Sequence, residues 1–69
     1  MEHTQEELTE AARQITSTLH KLRETIRTLE AKEQPQRYKS QLTLARRRVQ
    51  AFEIANDLIA EKLRAEEKS

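Results

Sequence analysis

Cysteine and glycine are both missing from this chain, proline occurs once (Pro35), and the only aromatic residues are Tyr38 and Phe52. Without cysteine there are no disulfides, no thiolate metal sites and no cysteine nucleophile. Without glycine there is no phosphate-cradling loop. No apolar run approaches the roughly 20 residues that span a bilayer. The opening residues are acidic and lack the basic-then-apolar order of a signal peptide, so a cytoplasmic location is expected. The 69 residues allow one domain, whose core would supply only about 3–5 kcal/mol. Small chains add disulfides, a metal or a partner; here a partner subunit is the expected source of the missing stability.

What remains is rich in alanine, leucine, glutamate, lysine, arginine and glutamine, with 36% of residues charged. These straight-chained residues lose little rotamer freedom in a helix. Thr4 to Glu7 has the form of a capping box. Beyond it Leu8, Ala12, Ile15, Leu19, Leu22, Ile26 and Leu29 recur at alternating steps of four and three, which is a heptad seam. Pro35 disfavours helical geometry at Gln34 but suits the first turn of a second helix. Tyr38, Leu42, Ala45, Val49, Phe52, Asn56, Ile59 and Leu63 make a second seam of the same step. The spacing therefore predicts one all-α domain, an antiparallel two-helix hairpin with helices over about 4–32 and 35–66 and a turn at 32–35. Residues 1–3 and 67–69 are expected to be mobile. Pairing Leu29 with Tyr38, Ile26 with Leu42 and so on gives residue numbers that sum to 67 or 68 throughout, as facing positions of a hairpin should. One continuous helix is the alternative, disfavoured by Pro35.

The second helix carries more apolar residues than one narrow helix can cover. Leu44, Ala51 and Leu58 form a stripe outside the seam, joined by Ile54, Ala55 and Ala65. Such a strip on a small protein marks an interaction surface, and Leu44, Ala51, Ile54, Ala55 and Leu58 are the candidate partner-binding residues. Self-association, as a homodimer or four-helix bundle, would also cover it. Each Leu or Ile covered is worth about 1.5–3 kcal/mol.

The net charge of +1 hides a segregated pattern. Residues 1–10 carry four acids and no base, residues 11–50 ten bases and three acids, and residues 51–69 five acids and three bases. A hairpin would be acidic at its open end and basic at its turn, which can orient a complementary partner. Arg46, Arg47 and Arg48 are the only hint of nucleic-acid binding. With few aromatics and no recognised motif they read as a solvated face, and no nucleic-acid partner is expected. The apolar faces lack the aromatic anchors of interfacial helices, so no membrane partner is expected either. Nor is enzymatic activity, a metal or a cofactor. His20 with Glu24 reads as a surface pair, His3 as a residue without a helical partner, and the carboxylates have no spacing that would pair them in a pocket. Tyr38 reads as the first core residue after the turn, and Asn56 as a polar seam residue, opposite Ala12, that sets register.

Pro35-Gln36-Arg37-Tyr38, the stretch from Ala51 to Ile59, and Ile15-Thr16 followed by Leu19 together resemble the small E-type co-chaperones of bacterial type III secretion, the YscE, PscE, AscE and SsaE proteins. The resemblance covers nearly the whole chain, on motifs that many helical hairpins share. It implies a cytoplasmic hairpin that binds and stabilises a G-type helical-repeat chaperone. Through that partner it would help keep the F-type needle subunit soluble and unpolymerised before export. The charged ending from Arg64 to Ser69 departs from the shorter ends of some members.

Overall fold

The computed structural model describes residues 2–33 and 35–67. Two helices, α1 (Gln5–Glu30) and α2 (Lys39–Glu67), lie against one another as a hairpin, in a body 53 × 19 × 15 Å. Glu67 closes α2 rather than lying beyond it; Met1, Lys68, Ser69 and Gln34 fall outside the described residues.

The start of α1 follows from side-chain chemistry. The Glu7 backbone N–H donates to Thr4 Oγ1 at 3.0 Å, and the Thr4 N–H donates to Glu7 Oε1 at 2.9 Å. Two of the N–H groups that a helix start leaves unpaired are satisfied reciprocally. The bond from Thr4, with a smaller pull from His3, holds the Glu7 carboxyl below the usual carboxylate range. A carboxylate with a lowered folded pKa contributes stability above its unfolded pKa and loses it as pH falls through the folded value. Glu7→Gln, which keeps an acceptor but removes the charge, should therefore lower stability at neutral pH, and the gap to wild type should narrow in acid. Urea titrations at the two pH values check this; an equal gap at both would show that Glu7 takes no part.

The end of α1 is shaped by the lack of glycine. No described residue has a positive φ, so the common left-handed cap is not used. Ala31 stays right-handed, and its N–H bonds Arg27 O at 3.1 Å, while the Lys32 N–H bonds Leu29 O at 3.3 Å. The tighter i to i−3 bond closes the last turn. The expected turn at 32–35 is in fact longer. Pro35 opens a 3-10 turn, Pro35–Tyr38, and α2 begins only at Lys39. A 3-10 turn accommodates proline's fixed φ and is a frequent start to an α-helix. The Lys32 ammonium sits 5.9 Å from the centre of the Tyr38 ring, a cation–π contact across the turn.

Every residue of both seams is buried or half-buried, but the core is thin. Among the described residues only Leu19, Leu29, Leu42 and Ala45 are buried, and none of those side chains is wholly enclosed. Two cylinders lying side by side touch along a line, so most seam residues keep one flank in water.

The helices mate one seam step away from the register expected from sequence. Asn56 Nδ2 donates to Thr16 Oγ1 at 3.0 Å, one helical turn beyond the expected Ala12. The same seams also align as Leu29 with Leu42, Ile26 with Ala45 and Leu22 with Val49, each pair summing to 71. That alignment fits both the Thr16–Asn56 bond and the joint burial of Leu29 and Leu42. The longer connection is the physical reason, because Tyr38 is taken up in the turn and Leu42 becomes the first residue to face Leu29.

Candidate protein-binding face

The cross-helix polar contacts lie on the flanks of the seam. Arg46 binds Glu30, and Arg23 binds Glu53 at 3.2 Å. All four side chains are about half exposed, so each pair contributes little, within about 0–1 kcal/mol. They do determine which charges remain for a partner. Arg46 of the arginine triplet is engaged within the hairpin.

The face of α2 turned away from α1 carries an apolar stripe. Leu44, Ile54 and Leu58 are 49%, 53% and 60% exposed, and Ala51 and Ala65 beside them are exposed as well. Leu44, Ala51 and Leu58 recur every seven residues and so run along one side of the helix. Ile54 adjoins Ala51 and Leu58 at the three- and four-residue spacing of helix neighbours. Ala55 is half-buried and lies on the shoulder between this face and the seam. The difference between the helices is visible in their make-up: apolar residues are gathered on one side of α1 and spread around α2. No protein-family model, curated protein or solved structure matches the chain. The chemistry of α2 itself is that of a helix with apolar surface on two sides, one against α1 and one exposed.

The histidines are placed differently from expectation. His3 does have a helical-spacing partner, with Nδ1 3.9 Å from Glu7 Oε1, because the capping box brings the Glu7 carboxylate back toward the residues before the helix. Glu24 pairs with Arg27 at 3.4 Å, and no His20–Glu24 pair forms among the described residues. Also among the described residues, no group of three or more His, Asp or Glu side chains is placed to hold a metal, and no helix is long and apolar enough to cross a membrane.

The Arg23–Glu53 and Arg46–Glu30 links were not anticipated from the sequence. Their signal is present in hindsight: each is an opposite-charge pair beside facing seam positions, and both residue pairs sum to 76. Only the correct register brings them within reach.

Proposed function

We propose that this chain is a non-catalytic protein-binding co-chaperone. It lays the Leu44–Leu58 face of α2 against a G-type helical-repeat chaperone and stabilises it. The pair then helps keep an F-type type III secretion needle subunit soluble and unpolymerised in the cytoplasm. The observation that carries the binding role is the exposure of Leu44, Ile54 and Leu58 together on a hairpin with only four buried residues among those described. Covering the half of each that is still exposed supplies about 1 kcal/mol per large side chain, which over the three is comparable to the whole stability of such a small core. A hairpin of this kind gains stability by mass action in a complex. The resemblance of Pro35 to Tyr38 and Ala51 to Ile59 to the E-type co-chaperones supplies the identity of the partner class.

The test is co-expression of the tagged chain with a helical-repeat chaperone and a needle-like subunit encoded beside it. The three should co-purify. Leu58→Glu and Leu44→Glu should abolish capture while leaving the helical circular dichroism of the hairpin intact. A wild-type chain that leaves both proteins behind would end this reading, as would full capture by both variants.

A further inference from the structure

The exposed face of α2 has an internal order that points to a second occupant. Outward from Ile54 at steps of three and four, the residue types mirror one another. Ala51 on one side answers Leu58 on the other, Arg47 answers Glu61, and Leu44 answers Ala65. Each mirrored pair sums to 108 or 109, which is the condition for two identical helices to meet antiparallel in register. We infer that this face closes on a second copy of the chain, α2 against α2, about a two-fold axis through Ile54. The inference uses the same face as the proposed partner but goes beyond that reading, since it concerns the chain on its own.

Shape and charge are both self-complementary in this arrangement. Each large side chain meets a small one, Leu58 on Ala51 and Leu44 on Ala65 of the second copy, so the two helices can approach closely. Ile54 packs on its own counterpart. Arg47 of each copy meets Glu61 of the other, at both ends of the contact. Neither residue has an ion-pair partner among the described residues of its own hairpin, whereas Arg23, Arg46, Glu30 and Glu53 are engaged there. A parallel alignment would set Arg47 beside Arg47 and Glu61 beside Glu61, which opposes it. The two-fold axis also makes the interface isologous and therefore closed at two copies. Because the face looks away from α1, the dimer is a row of four helices with the two α2 helices inside, not a closed bundle.

The absence of native cysteine allows a direct test on the full chain. Ile54→Cys places a single thiol on the axis, and mild oxidation with oxidised glutathione should convert it rapidly to a disulfide-linked dimer. Leu44→Cys is the control: its counterpart lies about 30 Å away along the antiparallel pair at 1.5 Å per residue, and it should stay unlinked. Sedimentation equilibrium supplies the second arm. Arg47→Glu and Glu61→Arg should each weaken the dimer by about tenfold. An equimolar mixture of the two variants, or the double variant, should restore wild-type affinity. A wild-type chain that sediments as a monomer at high concentration overturns the inference, as does linking of Leu44→Cys as fast as Ile54→Cys, or a double variant no tighter than the singles. None of these outcomes bears on capture of a helical-repeat partner by wild type and its loss in Leu58→Glu, so the two readings fail separately.

Discussion

Leu42→Ala should leave the dilute, isolated hairpin largely without helical structure. Leu42 is 7% exposed and is one of four buried residues among those described. Truncating a buried leucine to alanine costs about 2–5 kcal/mol, since the surroundings relax only partly into the space left. The whole domain is expected to hold about 3–5 kcal/mol. The loss thus matches the total, and most of a helix's stability in a protein comes from its packed face rather than from propensity. Leu44→Ala is the matched comparison two residues away, on a side chain 49% exposed; it should leave the melt of the monomer nearly unchanged. Thermal and urea melts followed by helical circular dichroism read both. A cooperative Leu42→Ala transition within about 1 kcal/mol of wild type would show that the core does not depend on the buried leucines.

Adding a partner should reverse part of that loss, because a ligand of the folded state raises apparent stability in proportion to the logarithm of its concentration over Kd. The exposed face of α2 is thus connected to the thin core through thermodynamics rather than through contact. The wild-type chain should likewise melt at a temperature that rises with protein concentration. A melting temperature that stays flat over a hundredfold dilution series would exclude self-association as a source of stability.

The hairpin was legible because the alternation of four and three depends only on side-chain order. Both seams, from Leu8 to Leu29 and from Tyr38 to Leu63, emerge as the buried or half-buried positions. The capping box at Thr4 and Glu7 was legible for the same reason, being local. Register was not. A seam with steps of four and three aligns with its partner in more than one way, and the choice falls to the turn, where Ala31–Tyr38 takes up more chain than one proline signals. The exposed face was visible in Leu44, Ala51 and Leu58 because their seven-residue spacing needs no register. The half-burial of Ala55 was not visible, because that depends on how closely α1 approaches the shoulder of α2.

The turn sets the observed alignment and Asn56 adds a polar hold on it within the seam, so replacing Asn56 should separate stability from specificity. Its Nδ2 bonds Thr16 Oγ1 at 3.0 Å, while its Oδ1 is buried with no hydrogen-bond partner. A buried acceptor left unsatisfied costs about 1–3 kcal/mol, more than the roughly 1 kcal/mol that one good hydrogen bond returns. Asn56→Leu should accordingly stabilise the hairpin by about 1–2 kcal/mol in urea titration. The same change removes a polar seam contact that, with the two flanking ion pairs, distinguishes pairs summing to 71 from pairs summing to 67 or 68. In the second alignment Asn56 would face Ala12, which offers its amide nothing. With leucine there, both alignments are apolar throughout, and the amide resonances of the two helices should broaden or double. A polar seam residue that fixes register at a cost in stability has this signature. Thr16→Val, which removes the hydroxyl but keeps the shape, should instead destabilise by about 0.5–1.5 kcal/mol by removing the acceptor of the Asn56 Nδ2–H. If Asn56→Leu destabilises the chain and keeps a single sharp set of resonances, the bond to Thr16 is a net source of stability and the register is held by the turn alone.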